Sequence, residues 1–143
     1  MAFKNILVPY DASEYSNRAF EKALEIAKKD GSKITVFTVI EGEYSAIMGY
    51  SKISSQVIEK QKKAAMKHVH KLESAAKSVN VPIYPKIKQG SSIVDEIINL
   101  AKSQKSDLIV IGSHGRAGLK RFILGSVSNA VAQQAKCPVL IVK

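Results

Sequence analysis

The sequence contains few of the residues that build disulfide scaffolds, zinc sites or aromatic clusters. Cys137 is the single cysteine, which excludes an intramolecular disulfide and a multi-cysteine zinc framework. Tryptophan is absent and aromatic residues make up 6% of the chain, so the core must consist mainly of Ile, Val, Leu and Ala. Such sparing use of cysteine is typical of a reducing compartment, and we expect a cytoplasmic protein.

Long apolar runs and two common phosphate-binding signatures are also missing. No stretch approaches the roughly 20 apolar residues that a membrane-spanning helix needs. The first residues, MAFKNILVPYD, turn polar too soon for a secretory signal. The chain has no GxxxxGK[ST] segment and no GxGxxG after its first apolar run, which argues against a P-loop and a dinucleotide fingerprint. We therefore expect no membrane association.

Arginine is scarce although the chain is strongly basic. The formal net charge is +10, yet Arg18, Arg116 and Arg121 are the only arginines. A basic nucleic-acid surface is one interpretation, because clustered cations release counterions from phosphates. A solvated lysine-rich surface is the other. The lysines are scattered over apparent helix faces without interleaved aromatic side chains, which favours the solvated surface. We therefore expect no nucleic-acid partner.

The remaining pattern is an alternation of strands and helices. The length of 143 residues fits one domain, residues 1–143, and 45% hydrophobic residues allow a real core. Short β-branched runs predict five strands, and apolar residues at helical spacing predict the helices between them. The predicted strands are Asn5–Tyr10, Lys33–Ile40, Pro82–Lys88, Asp107–Gly112 and Pro138–Val142. This order predicts an α/β fold with a doubly wound parallel sheet and helices on both faces.

Prolines, glycines and serines refine this outline. Pro82 and Pro85 cannot donate ladder hydrogen bonds, so we place the third strand at a sheet edge. Gly31 stands where the first helix needs a C-terminal cap. Ser92 and Asp95 have the spacing of a capping box at the start of another helix. The segment Glu41–Ser51 has no clear period and is predicted to be a loop.

The first candidate site follows the first strand and consists of Pro9, Tyr10, Asp11, Ala12 and Ser13. Ligands of doubly wound sheets bind beyond the carboxyl ends of the strands, where the strand order reverses. A carboxylate there can accept hydrogen bonds from sugar hydroxyls or hold a metal ion. Asp11 could instead cap the following helix, with Glu14 three residues later. These residues alone leave both interpretations open.

The second candidate site is glycine-rich and follows the fourth strand. It consists of Gly112–Gly115 (GSHG) and, after nine residues, Gly125–Ser128 (GSVS). Glycines let backbone amides approach a phosphate closely, and the start of a helix favours an anion. The hydroxyls of Ser126 and Ser128 could add donors, and nearby charge comes from Arg116, Lys120 and Arg121. The alternative is that the glycines only mark turns and that the serines only cap a helix.

These residues resemble the universal stress protein family, in particular its nucleotide-binding branch with the pattern G-2x-G-9x-G-[ST]. Gly112, Gly115, Gly125 and Ser126 fit this pattern without an insertion, and the likeness extends to ILVPYDASEYSNRA at the start and CPVLIV at the end. The resemblance implies an adenine nucleotide alpha hydrolase-like fold, in which five parallel strands in the order 3-2-1-4-5 hold ATP at their carboxyl edge.

The resemblance also implies roles for individual residues. Asp11 would contact the ribose or bind Mg²⁺ beside the phosphates, and the Val39 backbone would recognise adenine. The full implied nucleotide-binding set is Pro9, Tyr10, Asp11, Val39, Gly112, Ser113, His114, Gly115, Arg116, Gly125, Ser126, Val127 and Ser128. A homodimer through the last strand, Pro138–Val142, is implied as well.

Two histidines and the cysteine receive structural interpretations. His68 and His70 lie two residues apart on a helix, so they point to different faces and form no obvious metal pair. We interpret them as solvated or at the edge of the core. Cys137 precedes an apolar strand and is interpreted as a buried, unreactive thiol.

Binding ATP does not require its hydrolysis, which needs a positioned water, an orienting or basic group and charge stabilisation. No dedicated general base near the γ-phosphate is visible in the sequence. We expect a nucleotide-dependent regulatory or stress-response protein with an unidentified protein partner and at most weak ATPase activity. The alternatives are a slow ATP hydrolase and an interaction or nucleic-acid module whose nucleotide site is vestigial.

Overall fold

The computed structural model describes residues 2–42, 52–115 and 124–143, and strands alternate with helices throughout them. The strands are β1 (Asn5–Pro9), β2 (Lys33–Glu41), β3 (Ile83–Gly90), β4 (Leu108–Gly112) and β5 (Val139–Val142). The helices are α1 (Glu14–Asp30), α2 (Lys52–Ser78), α3 (Ile93–Ser103) and α4 (Ser126–Gln134). The predicted alternation is confirmed. No helix within the described ranges is long and apolar enough to cross a membrane.

The five strands form one parallel sheet in the order β3-β2-β1-β4-β5, which confirms the predicted topology. The order reverses between β1 and β4. The β1–β2 ladder covers all of Asn5–Pro9, but the β1–β4 ladder covers only Ile6 and Leu7. The carboxyl ends of β1 and β4 are therefore not joined by a continuous ladder. Doubly wound sheets bind their ligands at such a reversal of strand order.

The edge position of β3 is also confirmed, and its cause is visible in the backbone. Pro82 lies just before the strand, where its carbonyl accepts the N–H of Ile34 at 3.0 Å. Pro85 lies within the strand and is exposed. An edge strand tolerates a missing N–H group because one side of it has no neighbouring strand. The strand extends to Gly90, two residues beyond its predicted end.

Helices cover both faces of the sheet because successive strand residues point to opposite sides. On one face, Ile6 and Val8 pack with buried residues of α1 and α2, including Phe20 and Val69. On the other face, Leu7 packs with buried residues of α3, α4 and the neighbouring strands. The core is dominated by aliphatic side chains, as the composition predicts.

Local capping fixes where α1 and α3 begin and where α1 ends. Ser13 is the N-cap of α1, and its side chain accepts the N–H of Ser16 at 3.1 Å. Gly31 ends α1 with φ at +73°, a conformation in which glycine has no steric penalty. Ser92 accepts the N–H of Asp95 at 3.2 Å, so it caps α3 as its spacing predicts. The interpretation of Asp11 as the helix cap is wrong, because Ser13 occupies that position.

Candidate functional site

The fold brings the two candidate clusters together at the carboxyl ends of β1 and β4. A Cβ atom at Gly115 would lie 2.8 Å from Oδ2 of Asp11. Real Cβ atoms essentially never come that close to another heavy atom, so a side chain at this position would displace the carboxylate. Glycine at position 115 therefore permits the direct approach of Asp11 to the backbone of the segment after β4.

The turn after β1 holds the Asp11 carboxylate in place. Its Oδ1 accepts the backbone N–H of Ser13 at 2.9 Å, the geometry of an Asx-turn. Between them, Ala12 adopts a left-handed conformation with φ at +65°. A non-glycine residue in that region costs about 1 kcal/mol or more, which the surrounding structure must offset. Asp11 thus orders the segment that leads to the cap of α1.

Gly112 determines how closely α1 approaches the end of β4. A Cβ atom at Gly112 would lie 2.8 Å from the carbonyl carbon of Tyr15 and 2.9 Å from its carbonyl oxygen. The first turn of α1 therefore rests directly on the last residue of β4. The ring of Tyr15 also packs against the ring of His114, with centroids 5.2 Å apart and a tilt of 52° between the planes. The Arg18 guanidinium lies over the Tyr15 ring, 5.5 Å from its centroid.

The segments before and after residues 116–123 are joined by hydrogen bonds. The N–H of Gly125 donates to the carbonyl of Ser113 at 2.8 Å, and the Ser113 N–H donates to the Val142 carbonyl at 2.8 Å. The buried hydroxyl of Ser128 donates to the carbonyls of Ser113 at 2.9 Å and Gly125 at 3.0 Å. Since backbone carbonyls accept the proton of the Ser128 hydroxyl, a phosphate contact of Ser128 is predicted through its backbone N–H group.

The start of α4 is suited to an anion. Gly125 is its N-cap and has no side chain to accept a hydrogen bond from the first turn. The first N–H groups of any helix lack intrahelical partners and carry the positive end of the helix dipole. Here those groups belong to Ser126, Val127 and Ser128, and Ser126 is exposed. The backbone of this turn can therefore bind a phosphate or carboxylate.

A cavity of about 250 Å³ lies beside Asp11, between the ends of β1 and β2 and one face of α2. Its lining includes four of the sequence-predicted residues, Tyr10, Asp11, Ala12 and Val39. The Tyr10 ring is itself a core group: it is buried, and its hydroxyl lies 2.5 Å from Oδ1 of Asn17. Pro9 is also buried and ends β1. The Tyr10 carbonyl accepts the hydroxyl of Thr38 at 2.8 Å, which ties the two strand ends together.

Sequence reasoning missed several residues that line this cavity. They are Thr38, Ile40, Glu41, Gln61, Ala64, Ala65, His68 and Ile93. Glu41 was assigned to a loop but ends β2. The positions on α2 follow the spacing i, i+3, i+4 and i+7, which marks one helix face, but the sequence does not show what that face meets.

Other predicted features lie elsewhere. Arg116, Lys120 and Arg121 lie outside the described residues, as does the predicted loop beyond Gly42. In the ranges 2–42, 52–115 and 124–143, no group of three His, Cys, Asp or Glu side chains could hold a metal ion. A magnesium ion at Asp11 would therefore take most of its ligands from phosphate and water, which is common for Mg²⁺.

Comparisons with known proteins agree with this architecture. A universal stress protein from Methanocaldococcus jannaschii is 33% identical over 146 residues, which cover 99% of this chain and 82% of the relative. The solved structure of the universal stress protein UspA from Lactobacillus plantarum has a TM-score of 0.91 at 23% identity, with 100% of this chain and 99% of that chain covered. This likeness shows the fold.

Two similar structures contain an adenine nucleotide. One is a universal stress protein in complex with cAMP, with a TM-score of 0.72, 26% identity, and coverage of 99% of this chain and 98% of that one. The other, from Archaeoglobus fulgidus, is in complex with dAMP and has a TM-score of 0.73 at 22% identity, with both chains covered completely. The model of the universal stress protein family matches residues 2–143. The chain therefore belongs to the universal stress protein family.

Proposed function

We propose that this chain is a single nucleotide-binding domain, residues 1–143, that binds ATP with Mg²⁺ at the carboxyl edge of its sheet. The observation that carries the proposal is the 2.8 Å approach between Asp11 Oδ2 and the Cβ position of Gly115, beside the cavity. A carboxylate and a glycine backbone meet beside this cavity, and the hydrogen bond from the Gly125 N–H to the Ser113 carbonyl joins the start of α4 to the same segment. The cAMP and dAMP complexes of similar proteins support an adenine nucleotide as the ligand.

In this proposal, each part of the nucleotide meets different protein groups. The cavity would take the base against Val39, and Asp11 would accept a hydrogen bond from a ribose hydroxyl. The start of α4 would take the phosphates through backbone N–H groups. The proposed contact residues are Pro9, Tyr10, Asp11, Val39, Gly112, Ser113, His114, Gly115, Arg116, Gly125, Ser126, Val127 and Ser128. For Ser128, the proposed contact is through its backbone only.

Asp11 is the proposed protein ligand of Mg²⁺. A bound magnesium ion would neutralise phosphate charge, and its near-octahedral coordination would be completed by phosphate oxygens and water. Oδ1 of Asp11 accepts the Ser13 N–H, and Oδ2 lies 2.8 Å from the Cβ position of Gly115. This chain's own contribution is to orient that carboxylate.

A regulatory role fits the site better than rapid turnover. The carboxylates that line the cavity are Asp11 and Glu41, and Asp11 is the proposed ligand of Mg²⁺. Hydrolysis needs a group that orients water at the γ-phosphate, and the described residues offer no dedicated one. We therefore propose a cytoplasmic, nucleotide-dependent stress-response protein with at most weak ATPase activity. Steady phosphate release above roughly 1 per second would contradict the regulatory role.

The edge strand β5 is the proposed dimer interface, through Pro138–Val142 paired antiparallel with a second copy. Leu140 is 37% exposed on this edge. We expect Leu140→Asp to shift the protein from dimer to monomer in sedimentation velocity. Tyr84→Asp is the matched control, because Tyr84 is 52% exposed on the opposite edge strand. A monomeric wild-type protein, or equal effects of both variants, would contradict this interface.

Calorimetric titration of nucleotide-stripped protein with ATP and Mg²⁺ tests the nucleotide site. We expect micromolar binding by the wild-type protein. Gly115→Ala should weaken it by about tenfold or more, because the new methyl group displaces Asp11, and tenfold corresponds to about 1.4 kcal/mol. Asp11→Ala should weaken binding and reduce its dependence on Mg²⁺.

The matched control is Ser91→Ala, an exposed position outside the site. It should bind ATP as the wild-type protein does. Absence of detectable binding by the stripped wild-type protein would overturn the proposed function.

A further inference from the structure

Helix α2 presents one face to the cavity, formed by Gln61, Ala64, Ala65 and His68, and we call it the α2 wall. The helix is fixed against the sheet just beyond this wall, since Val69, Leu72 and Ala76 are buried in the core. The wall therefore belongs to a packed element of the fold, and its side chains have a defined position relative to β1 and β2.

The α2 wall combines a flat apolar centre with two polar ends. The methyl groups of Ala64 and Ala65 lie between Gln61 and His68, whose positions are about 10 Å apart along the helix axis. Across the cavity, Ile40 supplies apolar surface from β2, while the side chain of Val39 packs on the opposite face of the sheet. A flat group with apolar faces and polar edges fits between two such surfaces, and a purine base has that character.

The charges around the cavity indicate which part of a nucleotide meets the wall. Asp11 and Glu41 are the carboxylates that line it, and Glu41, for which no cation is proposed, disfavours a phosphate beside the end of β2. The start of α4, by contrast, attracts an anion. The uncharged base is therefore the part that belongs next to α2.

Burial separates His68 from Gln61, the other polar side chain of the α2 wall. His68 is half-buried, whereas Gln61 is exposed. His70 is 80% exposed at its side chain and lies 3.5 Å from Glu73, outside the cavity. A hydrogen bond in a partly enclosed cavity is stronger than one in water, and a neutral imidazole can both donate and accept.

We infer that His68 is a specificity-determining residue that hydrogen-bonds the purine base of the bound nucleotide from the α2 wall. This inference rests on the proposed nucleotide site and adds an element, α2, to the groups that recognise the base.

The inference is tested by ATP titration of His68→Ala, His68→Gln and His70→Ala in the full chain. We expect His68→Ala to bind ATP about tenfold more weakly, the loss of one well-placed hydrogen bond and its packing. His68→Gln should recover part of the affinity because an amide also donates and accepts. His70→Ala should bind ATP within about twofold of the wild-type protein, because the His70 side chain is exposed outside the cavity.

Imidazole NMR signals provide a second readout that does not depend on any variant folding well. The chain has three histidines, His68, His70 and His114, so their signals are few and assignable. On titration with ATP and Mg²⁺, the His68 signals should shift and saturate with the affinity found by calorimetry. The His70 signals should stay unchanged.

The outcomes separate this inference from the proposed function. If Gly115→Ala loses ATP while His68→Ala binds like His70→Ala and the His68 signals do not shift, the role of His68 is overturned and the nucleotide site stands. If the stripped wild-type protein binds no ATP, the proposed function and the role of His68 are both overturned.

Discussion

The Ser128 hydroxyl donates to the Ser113 carbonyl at 2.9 Å, which joins the first turn of α4 to the residue after β4. The two ends of the glycine-rich motif are therefore linked by a buried side chain that belongs to the motif itself. The same hydroxyl reaches the Gly125 carbonyl at 3.0 Å. The Ser128 side chain therefore fixes the backbone at the start of α4 relative to the end of β4.

We expect Ser128→Ala to lower the free energy of unfolding by about 1 kcal/mol, because it removes a buried hydroxyl bond while the Gly125 N–H still satisfies the Ser113 carbonyl. Urea denaturation measures the change. Ser126→Ala is the control on the same helix, since Ser126 is exposed and should change stability by less than about 0.5 kcal/mol. Equal losses for the two variants would contradict the linking role of Ser128.

Gly112→Ala should destabilise the fold by about 2 kcal/mol, because its methyl group would lie 2.8 Å from the backbone of Tyr15 and cannot be accommodated by a side-chain rotation. Thermal and urea unfolding should both report the loss. Gly31→Ala is a useful contrast: nothing lies within 4 Å of its Cβ position, and its cost of about 1 kcal/mol comes from φ at +73° alone. A Gly112→Ala variant as stable as the wild type would show that α1 can move away from β4.

Asp107→Ala should destabilise the opposite end of the sheet. The Asp107 carboxylate accepts the N–H groups of Lys4 at 2.8 Å and Asn5 at 2.9 Å, and so joins the start of β1 to the start of β4. We expect a loss of about 2 kcal/mol in urea unfolding, since hydrogen bonds to charged groups contribute more than neutral ones. Asp107→Asn keeps one acceptor oxygen and should lose less. Identical losses for the two variants would indicate that the charge, and not the number of acceptors, decides the effect.

The reactivity of Cys137 should depend on folding. Burial raises the pKa of the Cys137 thiol, and the negative charge of Asp107 acts in the same direction. The folded chain then holds less thiolate than the unfolded chain at the same pH, so iodoacetamide should label the native protein more slowly at about pH 8 than the urea-unfolded protein.

The raised pKa of Cys137 also makes the free energy of unfolding depend on pH. The contribution of the protonated thiol is present below the pKa of the unfolded thiol and is lost as the pH rises through the higher pKa of the folded one. Stability should therefore decline less between neutral and alkaline pH in Cys137→Ser than in the wild-type protein. Cys137 is half-buried, and not buried as the sequence predicted. Equal labelling of native and unfolded chains would contradict this partial protection.

The sequence predicted the fold well because its strongest signals are local. Buried strands such as Asp107–Gly112 are nearly continuous apolar runs, and the alternation of such runs with helical spacing leaves few topologies. Pro85 predicted the sheet edge from a missing N–H group, a property that needs no knowledge of the tertiary structure.

The site was harder to predict where a residue's role depends on what it meets in space. The meeting of Asp11 with Gly115 followed from the strand order, but the fixed orientation of the carboxylate depends on the Ser13 N–H. The position of Ser128 in the motif suggests a phosphate donor, but its hydroxyl donates to two backbone carbonyls. His68 resembled a solvated histidine, because the sequence shows the period of α2 but not the cavity that its face lines.

The two edges of the sheet have a consequence for stoichiometry. The β3 edge carries Pro85, which has no N–H to offer, and the exposed charges of Lys86 and Lys88, all features that block the addition of a strand. The β5 edge has neither a proline nor a charged residue within Val139–Val142. An assembly that extends the sheet through β5 therefore pairs the β5 strands of both copies and leaves only the two β3 strands at the edges of the combined sheet. Growth by strand addition ends at two chains, so the same surface that allows a pair prevents a fibre.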